Sequence, residues 1–239
     1  MAKNSVDDMY KGCSTEMEEK AEEYLKDELN KDPMFKKTWV EAEEWYDHTN
    51  EKGKADVNLS KEQKMALYAY TSDAVYADFN KATREQGPEY KTTFKYHALH
   101  FYLTTALQKL RAHQKPCFIV YRRTNMFFEV SNVLKKEVRL GSFASTSLRI
   151  DLKQFGDKSC FEIETCMGVN VSKHSKYQTE AEVLIPPYEV FTVTKITKGS
   201  KLHPLQCDVV YKLKSTRKPL SNLNCVLIKK KRCKFPWCS

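Results

Sequence analysis

The sequence predicts an α+β protein in which helices come first and a sheet is built afterwards. Three observations carry this. Up to about residue 115, Lys, Glu and Ala dominate and apolar residues recur at helical spacing. Beyond it the chain turns to short β-branched and aromatic runs, broken by Gly, Pro, Asn and Lys. Neither G-x-G-x-x-G nor G-x-x-x-x-G-K-[ST] occurs, so no nucleotide-binding βαβ unit is supported, and an antiparallel or mixed sheet is expected.

In chain order, "STEMEEKAEEYLKDEL" offers Ser14 or Thr15 as an N-cap and places Met17, Ala21, Leu25 and Leu29 four residues apart. "SKEQKMALYAYTSDAVYADFNKATRE" starts at a cap-like Ser60 and carries Met65, Leu67, Tyr68, Val75, Phe79 and Ala82 on one stripe. "TFKYHALHFYLTTALQKLRAH" is a third helix, apolar at Phe94, Ala98, Phe101, Leu103 and Leu107. His97 and His100 fall on or beside that stripe; without H-E-x-x-H spacing they read as packing or surface residues rather than metal ligands. The strands expected are "CFIVYR", "EVRLGSFASTS", "SCFEIETC", "EAEVLIPP", "YEVFTVTKI", "CDVVYKL" and "NCVLIKK". We read residues 1–239 as one domain: a mainly helical part (1–115), a β part (116–228) and a basic tail (229–239).

A chain of 239 residues with 41% hydrophobic and 30% charged residues describes an ordinary globular protein able to bury a real core. The net charge is +9, part of it in the tail "KKKRCKFPWC". Basic and aromatic residues do not interleave as on a single-strand binding platform, so a solvated face is preferred and no nucleic-acid partner is expected. The eight cysteines include no C-x-x-C pair, which argues against a zinc ribbon or thioredoxin-type site; no metal is expected. Their even, scattered distribution fits disulfides in an oxidising compartment, with idle thiols in a reduced protein as the alternative. The sequons Asn58-Leu59-Ser60 and Asn170-Val171-Ser172 agree weakly with a glycoprotein. "MAKNSVDDMY" is polar and acidic, and neither an apolar run of ~18 residues nor a hydrophobic tail occurs. The expectation is a mature or trimmed secreted, monomeric form, with any membrane attachment lying outside this chain.

Three polar stations interrupt the apolar pattern. In "YQTEAEVLIPPYEV", Glu180 and Glu182 precede an apolar run; on a strand, such a pair shares one face with Cα atoms roughly 6.6 Å apart. A solvated surface pair explains them equally. "FASTS" ends a strand in small hydroxyls, which satisfy a strand edge or a turn. Arg122, leaving the apolar run "FIVYRRT", needs an anion, whether an internal carboxylate or a bound phosphate.

Arginine after one strand, Ser-Thr-Ser after the next and Glu-x-Glu opening a third resembles the vertebrate ecto-mono-ADP-ribosyltransferases, of the arginine-specific R-S-ExE type. "YKGCSTEMEEKA", "ALYAYTSDAVYADFNKATRE", "HALHFYLTTALQKL", "ETCMGVNV", "EVLIPPYEVF" and "SNLNC" extend the resemblance, in order, from Asp7 to Cys225. It implies the ADP-ribosyltransferase fold, a helical part followed by a split β-sandwich, and an enzyme that uses NAD as substrate without a metal. ADP-ribose would pass from NAD to arginine side chains of target proteins, through a transition state with positive charge on the ribose. By the same resemblance Glu182 stabilises that charge and Glu180 holds or deprotonates the acceptor guanidinium. Ser145 orients NAD and Glu182, Arg122 grips the phosphates or ribose, and Phe155 in "KQFGD" lies near nicotinamide. "SKHSKYQT" matches the acceptor-recognition loop, where Tyr177 either stacks on the guanidinium or is only a loop aromatic. Cys13 with Cys225 and Cys117 with Cys166 correspond to family disulfides, leaving Cys160, Cys207, Cys233 and Cys238 unassigned. One departure stands out: Arg123 follows the motif arginine where the family usually has glycine, and it narrows the pocket, weakens NAD binding, or points outward. The alternatives are an NAD glycohydrolase with little protein transfer and an inactive binding protein that keeps the fold.

Overall fold

Helices α1 (Ser14–Lys31), α2 (Pro33–Asn50), α3 (Lys61–Thr71), α4 (Asp73–Glu85) and α5 (His97–Arg111) precede the strands in the computed structural model, which describes residues 2–50, 59–199 and 203–228. Ser60 caps α3 as expected and does so reciprocally: its hydroxyl accepts from Gln63 N while Gln63 accepts from Ser60 N. The Ser14 or Thr15 cap is a correction. Cys13 holds the N-cap position of α1, without a side-chain cap bond. The stretch 60–85 is not one helix either; it breaks at Ser72, whose extended backbone (φ −82°, ψ 142°) ends α3 and begins α4 on the same apolar stripe. The third predicted helix starts only at His97. There Glu28, reaching over from α1, accepts from Ala98 N (3.1 Å) and supplies the cap that Tyr96 does not. Burial pushes Glu28 up to about 8, so near neutrality it is largely protonated. His97 and His100 are buried packing residues. Tyr10 Oη lies 2.7 Å from His100 Nδ1, and burial lowers His100 to about 3.

The strands are β1 (Phe118–Thr124), β2 (Glu137–Val138), β3 (Ala144–Ser147), β4 (Ser159–Thr165), β5 (Val169–Asn170), β6 (Glu182–Ile185), β7 (Glu189–Lys198) and β8 (Val209–Pro219), in the order β2-β7-β8-β4-β1-β3-β6-β5. All pairs are antiparallel except β4 with β8, so the sheet is mixed. "EVRLGSFASTS" forms two strands rather than one, interrupted at Gly141. "NCVLIKK" is a turn over its described residues, with Val226 and Ile228 donating to the carbonyls of Leu223 and Cys225. Its apolar side chains pack on the helical core instead of entering the sheet.

Between β1 and β3 only Tyr121 and Ser147 are in register, and this seam divides the sheet into two halves. The smaller half, β3-β6-β5, is covered on both faces. Leu184, Phe143, Val169 and Val171 face the helices, while Val183, Ile185 and Ala144 face Phe118, Val120 and Phe161 of the other half. That explains why "VLI" reads as a continuous apolar run: all three residues are completely buried.

The segment before α1 and the turn after β8 are tied together. Cys13 and Cys225 form a disulfide, and Cys117 joins Cys166. Asp7 receives Asn222 N (2.8 Å) and Leu223 N (3.0 Å), and Asp8 receives Cys225 N (2.9 Å). Arg139, buried with Asp7, donates to it at 2.5 Å and to the Leu220 carbonyl at 2.8 Å. Arg139→Met is therefore expected to cost about 3–5 kcal/mol in urea unfolding, because it strands a buried carboxylate. Cys160 pairs with Cys207, which the sequence left unassigned. Asn58, Cys233, Cys238 and the basic tail lie outside the described residues.

Candidate active site

The seam between the sheet halves opens into a cavity of about 300 Å³, and Arg122, Ser145, Phe155, Tyr177, Glu180 and Glu182 all line it. Arg122 projects from β1 across the seam. Its Nη1 donates to the Ser145 carbonyl (2.6 Å) and approaches Tyr76 Oη (3.5 Å). Burial opposes its charge, but the Tyr76 and Tyr70 hydroxyls and Glu182 outweigh that and raise its pKa. Ser145 Oγ stands 3.4 Å from Tyr70 Oη.

Glu182 opens β6 and is buried, with Oε2 accepting from Ser175 Oγ at 3.3 Å. Burial pushes its carboxyl up to about 7, with Glu180 adding to the rise, against hydrogen bonds from Ser145 and Ser175 and the charge of Arg122. This is the signature of a carboxylate held out of water beside a cleft, with its charge available to a cation that enters.

Glu180 requires a correction. It does not share a strand face with Glu182. It ends a 3₁₀ turn over Gln178–Glu180, and Ala181 follows in the left-handed region (φ 49°, ψ 49°) before β6 begins. A left-handed alanine costs roughly 1 kcal/mol and persists because its surroundings hold it. Here Ser147 Oγ donates to the Glu180 carbonyl, Leu148 N to the Ala181 carbonyl (3.1 Å) and Arg149 Nη1 to the Thr179 carbonyl (3.0 Å). The turn carries Glu180 to the cavity wall, half-buried. Burial and the nearby Asp73 raise its pKa, and Arg149 opposes them.

The loop before it is strapped to the junction of α3 and α4. Lys176 N donates to Thr71 Oγ1 (2.9 Å) and Tyr177 Oη to Asp73 Oδ2 (2.7 Å). Sequence reasoning missed Thr71, Asp73, Tyr76, Ser147 and Arg149, all of which line the cavity. Ser147 alone carried a local signal, as the second hydroxyl on the face of Ser145. Of metal-capable groupings among the described residues, Cys117, Glu164 and Cys166 lie close enough, but their sulfurs are joined in the disulfide and offer no thiolate.

The model of the NAD:arginine ADP-ribosyltransferase family matches residues 1–214 of this chain. The chain belongs to that family. Among its relatives, ecto-ADP-ribosyltransferase 5 of Rattus norvegicus is 33% identical over 235 residues, covering 94% of this chain and 74% of the relative. NAD(P)(+)--arginine ADP-ribosyltransferase 2 of Gallus gallus is 38% identical over 206 residues, 84% and 65% of the two chains. A crystal structure of a single-residue variant of the mono-ADP-ribosyltransferase ART2.2 in complex with NAD superposes with a TM-score of 0.79 at 33% identity, covering 95% of this chain and 97% of the other.

Proposed function

We propose that this chain is an arginine-specific mono-ADP-ribosyltransferase that uses NAD as substrate and modifies protein acceptors. The observation that carries this reading is the buried Glu182 carboxyl, sharing one cavity with Arg122, Ser145 and Glu180. When the bond between nicotinamide and ribose breaks, its electron pair leaves with nicotinamide and positive charge develops on the ribose. A preorganised carboxylate as buried as this one stabilises that charge far more than one in water. Glu182 fills that role, kept in place by Ser145 and Ser175. Arg122 presents its forked donor to the phosphates or ribose, and Phe155, 46% exposed, offers its ring to nicotinamide. Glu180 and Tyr177 receive the acceptor arginine, whose nitrogen attacks the ribose carbon and gives up a proton to Glu180.

The six candidate site residues that line the cavity all come from one chain, which a monomer with a single catalytic domain would require. Three disulfides and relatives named ecto-enzymes fit an extracellular protein. No helix among the described residues is long and apolar enough to cross a membrane.

A second reading, an NAD glycohydrolase, is favoured by one feature: Glu182 works without an acceptor, and water reaches the half-exposed Glu180 end. Incubation with NAD labelled in the ADP-ribose moiety and with agmatine separates the two. A transferase labels agmatine; label found only in free ADP-ribose overturns the proposal in favour of hydrolysis.

A further inference from the structure

Arg122 and Arg123 are neighbours on β1, so their side chains leave opposite faces of the strand. Arg122 turns to Ser145 and Tyr76. Arg123 turns the other way, is 8% exposed, and reaches the far wall of the cavity. Its Nη2 donates to the Ile150 carbonyl at 2.9 Å, with Nε at 3.3 Å from the same oxygen, and Nη1 lies 3.5 Å from the Gly156 carbonyl. The same Nη1 sits 3.4 Å from Cys207 Sγ, in the disulfide that ties β4 to the chain entering β8. One guanidinium therefore touches both ends of the segment 150–156.

That segment carries Leu152 and Phe155 into the cavity. Its internal bonds are short-range turns, Lys153 N to Asp151 O (2.8 Å) and Gly156 N to Lys153 O (3.1 Å), and its side chains reach outward through exposed pairs, Arg149 with Asp151 (2.7 Å) and Lys153 Nζ with Gln206 Oε1 (3.0 Å), which hold it less firmly than a buried contact. Its far end is pressed onto β1. A side chain at Gly156 (φ 124°) would meet Thr124 C at 2.5 Å and Asn125 N at 2.7 Å. We infer that Arg123 is a positioning residue that clamps the segment 150–156, and with it Phe155, in the conformation that receives NAD. The inference rests on the NAD reading above and answers what the arginine does where the family usually has glycine: it points away from Arg122 and staples the opposite wall. A planar fork suits the task, because two carbonyls at different heights need donors spread in a plane; a lysine ammonium serves one of them.

A clamp of this kind acts on NAD binding, since an unclamped segment must be ordered when the ligand arrives. Arg123→Gly and Arg123→Lys, alongside wild type, test it by two readouts. The first is amide exchange of residues 151–156 in the ligand-free protein, which does not depend on turnover. The second is steady-state transfer to agmatine with NAD and agmatine varied separately. The glycine variant is expected to exchange faster at Phe155 and Gly156 and to raise the KM for NAD about tenfold, with kcat and the KM for agmatine within about threefold; lysine restores part of each. An unchanged NAD KM overturns the clamp and leaves the transferase reading standing. So does a matched rise of both KM values with faster exchange across β1 and β4, which marks general damage to the fold. A wild-type protein that leaves NAD intact overturns the transferase reading, and the role assigned to Arg123 falls with it even where the exchange result holds.

Discussion

Glu182→Gln is expected to lower NAD hydrolysis and arginine transfer together by about 10³-fold or more, the cost of removing a preorganised charge from a dry site. The substitution keeps the volume and one side-chain oxygen to accept from Ser175, so the loss reports charge rather than shape. The wild-type pH dependence follows from the same environment. Burial pushes Glu182 up to about 7, and the role proposed for it needs it ionised. At low NAD the rate is therefore expected to climb with pH up to about 7 and to level off above. The stability slope has the opposite sense. A carboxyl whose pKa is raised by folding binds its proton more tightly in the native state, so its contribution favours folding at low pH and is lost as pH rises from the ordinary carboxylate range to about 7. Glu28 and Asp8, raised to about 8 and 6, act in the same direction, so the difference between wild type and Glu182→Gln isolates this one group. Urea unfolding at pH 5 and pH 8 is expected to show the variant losing less stability than wild type over that interval. Transfer surviving in the variant, or a wild-type rate flat across neutrality, sinks the assignment.

The residues show what a one-dimensional reading reaches. Ser60 with Gln63 is a local capping signal, and it appears in the structure as read. The buried run "VLI" announces a strand covered on both faces. The break at Ser72 was hidden because apolar spacing continues through it from Met65 to Val75, and only the backbone changes. α2 escaped although Pro33 stands at its first position, a common start signal. Nothing about alanine announces the left-handed turn at Ala181, which is imposed from outside by Ser147, Leu148 and Arg149. The pairing of Cys160 with Cys207 is a property of how β4 lies beside β8, and spacing alone does not yield it. Arg122, Ser145 and Glu182 could be picked out because each sits on a strand, Glu182 at its first residue, and the order of the three is distinctive. Asp73 and Tyr76 were not, since they come from a helix that reaches the cleft only through tertiary packing.

Glu180→Gln is expected to cut transfer to agmatine by about 10²-fold or more while leaving NAD hydrolysis within a few-fold of wild type. The turn over Gln178–Glu180 decides where this side chain stands. Glu182 is buried beside Arg122 and Ser145; Glu180 is half-buried at the rim, with Asp73 and Arg149 acting on its charge. Cleavage of NAD needs negative charge at the ribose, the role proposed above for Glu182. An arginine acceptor makes a different demand: its guanidinium carries a charge that must be paired on entry and a proton that must leave as the new bond forms. A carboxylate meets both demands, and a neutral amide of the same size meets neither. Water needs no such pairing and continues to capture the ribose cation. The Tyr177 bond to Asp73 holds the neighbouring loop whether residue 180 is acid or amide, so the acceptor wall stays in place. The ratio of labelled ADP-ribosyl-agmatine to free ADP-ribose measures the split in one reaction. A variant that loses both products equally would move Glu180 into the NAD-cleaving step, and one that keeps transfer would remove it from acceptor chemistry altogether.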